Sequence, residues 1–135
     1  MPYDPILWVR LAEELVTGPG TADEQARYRT AINRCYYGPL IRLKLRIENV
    51  QGAGSVPGPG VHSWMQRALK RGASNHHQNI RGALRRLEDG RLEADYDPQA
   101  GPLTADDVRM ALERAQRVVA LIESLPADSL RTIRD

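Results

Sequence analysis

Phenylalanine is absent from the chain, and aromatic residues supply only 5% of it. The core must therefore be filled largely by aliphatic side chains, and each tyrosine stands out. Cys35 is the single cysteine, which excludes an intrachain disulfide and a cysteine-based zinc site and fits a reducing compartment. No apolar run approaches the ~18 to 20 residues needed to cross a bilayer. The start, MPYDPILWVR, has neither the basic region nor the small-residue cleavage site of a signal peptide. These absences predict a cytoplasmic protein with no membrane partner. Strand-like alternation and internal repeats are missing too, which leaves helices as the building material.

Helix signals are dense. Asp4 and Pro5 read as an N-cap followed by proline at the first helical position, with a Leu7, Leu11, Leu15 stripe behind them. Thr21 and Glu24 match a capping box for a second helix that carries Tyr28, Ile32, Cys35 and Tyr36 on one side. Gly38 and Pro39 interrupt it, because proline lacks the backbone donor and crowds the preceding turn. Apolar spacing resumes at Leu40, Leu43 and Ile47, predicting one long kinked helix. QGAGSVPGPG, residues 51–60, is a flexible connector. Further helices are predicted over about 61–70, over about 75–94 with Ile80, Leu84 and Leu87 on one face, and from a Thr104 cap, with Asp107 at the third position, to a stop at Pro126. The expected fold is a single all-α domain, an up-and-down bundle of four to five helices spanning 1–135, with 126–135 a frayed tail.

The net charge of +2 conceals an uneven distribution. Residues 61–91 hold seven basic side chains against Glu88 and Asp89, and 17 of the 19 basic residues are arginine. Arginine is the better fork for phosphate and the better stacking partner for bases, although exposed helix faces commonly carry charge with no ligand. Arg67, Lys70 and Arg71 share a helical face, and four residues separate Arg71 from His76. That group has the means to hold a phosphate and move a proton on a ribose oxygen; its alternative role is polar surface and helix capping. His62, His76 and His77 do not suggest a metal site, since adjacent histidines on a helix point ~100° apart. No cofactor is predicted.

A second group, GRLEADYDP, places Arg91, Asp95 and Tyr96 within a turn or two at a helix end. Asp95 is positioned to order Arg91 by a local salt bridge. As structure this is a helix terminus; as a site, the arginine contacts phosphate and the tyrosine hydroxyl forms hydrogen bonds. A buried tyrosine on the 29–38 stretch, RTAINRCYYG, also demands a polar partner for its hydroxyl, and Arg91 or Asp95 on a facing helix would serve.

The two stretches together resemble HEPN domains (higher eukaryotes and prokaryotes nucleotide-binding). RTAINRCYYGPL is similar to the R-x-A-I-x-R-x-Y-Y helix of that family, and RLEADYDP is similar to the A-D-Y-D segment of a bacterial subgroup. The resemblance runs from about Leu7 to Leu125 and includes a helix begun by a histidine in VHSWMQRAL. It implies a bundle that forms homodimers, takes RNA or a nucleotide as ligand and needs no cofactor. Many members are metal-independent ribonucleases in toxin-antitoxin or phage-defence settings, alongside an antitoxin or defence partner protein. Their Arg-x(4 to 6)-His motif is matched in place by Arg91 and Tyr96, so tyrosine stands where the catalytic histidine would be. The resemblance thus puts Arg91 and Tyr96 forward for catalysis and Arg34, Tyr37 and Asp95 for binding, while the basic face on its own adds His76 as a catalytic candidate and Arg67 and Arg71 for binding. The alternative is a catalytically silent HEPN module that dimerises or pairs with a separate effector.

Overall fold

A computed structural model describes residues 9, 10, 12, 24–72, 74–96 and 102–135, with the side chains of 94–96 outside that set. Its architecture is all-α: α1 (Glu24–Gln51), α2 (Val61–Arg71), α3 (Asn75–Tyr96), α4 (Ala105–Glu123) and the short α5 (Ala127–Arg131). There is no strand among the described residues. No helix of the described residues is long and apolar enough to cross a membrane. The predicted Asp4 cap, the leucine stripe at positions 7, 11 and 15, and the Thr21 half of the capping box lie outside the described residues. Val9 and Ala12 are helical, and both are buried in the core.

The 28-residue α1 is the spine, packing against α3, α4 and α5, while α2 packs on α3 and α3 on α4. It continues through Pro39 as one helix, as the resumed apolar spacing predicts. Leu43 and Ile47 meet Met65, Leu69, Ile80, Leu84 and Ile122 in a core built almost wholly of aliphatic side chains. Burying each of these contributes about 1.5–3 kcal/mol relative to exposure. Capping fixes the helix starts. Thr104 Oγ1 accepts from the Asp107 amide at 3.2 Å, and Asp107 Oδ2 accepts from the Thr104 amide at 2.8 Å. Ser74 Oγ likewise accepts from the His77 amide at 3.2 Å at the head of α3, and each cap satisfies a helix donor that would otherwise be orphaned.

Two segments are better ordered than the sequence predicts. The glycine-rich connector is tied down, because Glu48 accepts from Gly54 N–H at 2.8 Å and Val56 is buried. Gly60, at φ 74, supplies the left-handed turn that leads into α2. The tail predicted to fray instead forms α5 and docks. Leu130 and Ile133 are buried, Gln51 Nε2 donates to the carbonyls of Leu130 (2.7 Å) and Ile133 (2.8 Å), and His77 Nε2 meets the Ser129 carbonyl at 2.9 Å. Arg67 Nη2 pairs with Asp135 Oδ2 at 2.8 Å. Two apolar anchors and a set of carbonyls with fixed donors outweigh the entropy of a short free tail.

At the α2–α3 turn, a Cβ on Gly72 would collide with the His77 ring, so only glycine allows this approach. Ile133→Ala is expected to lower the unfolding free energy by about 2–5 kcal/mol in a urea titration. A loss below about 0.5 kcal/mol would show that the tail unfolds separately from the bundle.

Candidate functional site

Tyr36 and Tyr37 stand side by side on α1 and face different surroundings. Tyr36 is 1% exposed, and its ring lies edge-on to that of Tyr37, with centroids 5.0 Å apart. A buried hydroxyl must find a partner, and here it is Nδ1 of His62, in the first turn of α2. The sequence points to Arg91 or Asp95 for this role; the hydroxyl finds His62 because the ordered glycine-rich connector folds the head of α2 back over the middle of α1.

His62 is held from its other side as well. Its Nε2 lies 2.8 Å from Glu88 Oε1 on α3, and the carboxylate is only 17% exposed. The neutral tautomer that satisfies both contacts has Nε2–H donating to Glu88 and Tyr36 O–H donating to Nδ1. Three helices are thus joined by one hydrogen-bonded line, Tyr36–His62–Glu88. Burial, with the Glu88 charge second, pushes the Tyr36 phenol well above its ordinary range, against a smaller opposing effect of Arg91.

Arg91, one turn beyond Glu88 on α3, completes the group. Its Cζ lies 5.4 Å from the Tyr36 ring centroid and 5.5 Å from that of Tyr37, within cation–π range. Arg34 precedes Tyr37 by one turn of α1, and both side chains are partly buried. Tyr37 and Arg91 therefore adjoin, with Arg34 one turn back along α1. Asp95 and Tyr96 belong to the last turn of α3, but their side chains lie outside the described residues.

The remaining predicted residues are elsewhere. His76 is exposed in the first turn of α3, and the fifteen residues from it to Arg91 amount to about 22 Å of helix. It shares no site with Arg91. Arg67 is engaged by Asp135 and Arg71 is exposed at the end of α2, so both belong to the tail end of the bundle. Tyr36 and His62 lie within the quoted motifs without being expected in the site, and Glu88 is not expected there at all. The available signal was the need of a buried tyrosine hydroxyl for a partner, together with a histidine opening a helix. Among the described residues no three histidine, cysteine, aspartate or glutamate side chains come together to hold a metal ion.

Searches against protein-family models, characterised proteins and solved structures find no match to this chain.

Two titrations follow. Tyr36 has a native pKa raised above its unfolded value, so its contribution to stability is complete below ~10 and is lost as pH rises through the native value. Ultraviolet titration should show a phenol step that comes latest or only on alkaline unfolding, and Tyr36→Phe should abolish that last step; its persistence in Tyr36→Phe, or all tyrosines titrating together near ~10, would contradict the buried hydrogen bond. Burial also pushes the Cys35 thiol up to about 12. It should resist a disulfide reagent at about pH 8 in the native protein and react promptly in denaturant; prompt native reaction would place it at the surface.

Proposed function

We propose that this chain is a HEPN-type helical bundle that binds RNA or a nucleotide at the Arg91 end of α3. The observation that carries the reading is the Arg91 guanidinium poised over the Tyr36 and Tyr37 rings. A guanidinium and a partly exposed phenol ring such as that of Tyr37 are groups that stack on unpaired bases, while buried Tyr36 backs them, and arginine also forks onto phosphate. Arg34 adds a second cation on the same face of α1 as Tyr37. The motif resemblance points to the same ligand class and to a homodimer acting with a partner protein in a toxin-antitoxin or phage-defence setting.

Binding is favoured over cleavage by the state of His62. Metal-independent RNA cleavage needs a base to take the ribose 2′-hydroxyl proton as that oxygen bonds to phosphorus, and an acid to protonate the departing 5′ oxygen. His62 is the histidine beside Arg91, and both of its ring nitrogens are occupied, by Tyr36 and by Glu88. The same line supplies the one argument for a nuclease. A carboxylate holding Nε2–H fixes the imidazole with Nδ1 as the free acceptor, so a ribose hydroxyl that displaced Tyr36 would meet an oriented proton acceptor.

The test is titration of labelled single-stranded RNA, and incubation with tRNA, in EDTA, for wild type, Arg91→Ala and His62→Ala. Affinity is expected to fall steeply with salt, and Arg91→Ala to weaken it by roughly 10- to 100-fold, the value of a charge-assisted contact. Cleavage that disappears in His62→Ala would make the protein a nuclease. No binding at low salt would replace this reading with that of a silent dimerisation or effector-pairing module.

A further inference from the structure

The opposite flank of α3 carries a second constellation, separate from the Arg91 region. Arg86 and Glu88 are two residues apart and so point about 160° from one another around the helix axis. Glu88 faces α2 and His62, whereas Arg86 faces α4, where two adjoining clefts open between α3 and α4. The two clefts share Arg86 and Arg114.

Their linings differ in kind. One cleft, of about 240 Å³, has Ala83 and Val118 as its apolar lining and Arg86, Arg114 and Arg117 around them, with no carboxylate among the lining residues. None of these three arginines has a salt-bridge partner among the described residues. Three guanidinium groups gathered with no described carboxylate in salt-bridge reach repel one another and raise the local potential for an anion. Elsewhere on the bundle arginines that serve structure are paired, as Arg42 is with Glu123, Arg67 with Asp135, Arg109 with Asp106 and Arg131 with Asp128.

The adjoining cleft, of about 190 Å³, is lined on its apolar side by Ile32, Leu87, Leu103, Met110 and Ala111. Met110 is half exposed although it is large and apolar, and a thioether adapts readily to a flat ring. The wall is preformed. Gln25 Nε2 donates to the Leu103 carbonyl, and Leu103 N–H donates to Gln25 Oε1, both at 2.8 Å. Asp107 also lines this cleft, but its carboxylate is committed to the Thr104 cap. Glu93 lines it too and offers an exposed acceptor.

We infer that this trough is a binding site for a nucleoside phosphate, with phosphates on Arg86, Arg114 and Arg117 and the base against the Met110 and Leu87 surface. Charge complementarity selects the anion, since arginine forks match phosphate oxygens. The apolar compartment selects against a bare sugar phosphate, which has no flat apolar face. Glu93 is placed to accept from an exocyclic amino group of the base, as carboxylates do in base recognition. The inference goes beyond the RNA-binding reading and does not depend on it, because the two regions use different residues on opposite flanks of α3.

Calorimetric titration of the full chain in EDTA at low salt, with ADP, adenosine and pyrophosphate as separate probes, tests it. ADP is expected to bind one per chain, with adenosine and pyrophosphate each at least tenfold weaker. The Arg86→Gln/Arg114→Gln double variant should weaken ADP at least tenfold while keeping the thermal unfolding transition. Absence of ADP binding to wild type would overturn the inference, as would undiminished binding by the double variant. Pyrophosphate binding as tightly as ADP would overturn the base-binding half. If a single-stranded RNA oligomer loses affinity in the double variant while ADP does not bind, the trough tracks a strand and the nucleoside phosphate is excluded. ADP affinity lost in Arg91→Ala but kept in the double variant would move the nucleotide to the other flank, overturning this inference and leaving the RNA-binding reading intact.

Discussion

A tyrosine hydroxyl buried in an aliphatic core is the constraint around which this bundle is arranged. Leaving it without a partner would cost on the order of 1–3 kcal/mol, a large share of the margin by which a domain of this size is stable. The solution brings His62 to Nδ1 contact and Glu88 to the far side of the imidazole, so α1, α2 and α3 meet through polar atoms at one level of the bundle. Above and below that level the contacts are aliphatic. A satisfied polar line that runs from the buried Tyr36 out to the partly exposed His62 and Glu88 fixes the register of the helices it joins, and the position of Arg91 over the tyrosine rings follows from that register.

The other end of the bundle is held differently. Gln51, at the last turn of α1, donates to carbonyls of the tail, while His77 Nε2–H donates to the Ser129 carbonyl and Gly72 allows the α2–α3 turn to close against the His77 ring. Histidine is thus used at both ends of α3 for unlike purposes. His62 joins three helices through both ring nitrogens, whereas His77 is sealed in beside the tail. The exposed His76 between them in sequence contributes to neither.

What could be read from the sequence follows the range of the interactions. Local signals predict the helices well: the Thr104–Asp107 box, the stop before Pro126 and the apolar rows at Leu40, Leu43, Ile47 and at Ile80, Leu84, Leu87 all reappear as predicted. The docked tail escapes such reading, because Leu130 and Ile133 are only two apolar residues and their partner Gln51 is some eighty positions away. In the site, Tyr37 and Arg91 come together, a pairing that the motif resemblance implies and that spacing alone does not. The identity of the Tyr36 partner was not, since it depends on how a ten-residue glycine-rich connector folds. Glu88 was hidden inside a segment read for its positive charge. The arginine trough between α3 and α4 was equally hidden, because its three cations come from two helices whose facing sides only the packing defines.

Cys35 lies at the centre of α1 with no exposed surface, and it is the only thiol in the chain. Its seclusion makes the native protein a ready background for site-specific chemistry. A cysteine introduced on an exposed face of α3 or α4 becomes the one reactive thiol, with no native residue removed. Spin labels or fluorophores placed in pairs then report the separation of helices, and of subunits in any assembly, in the protein with its core intact.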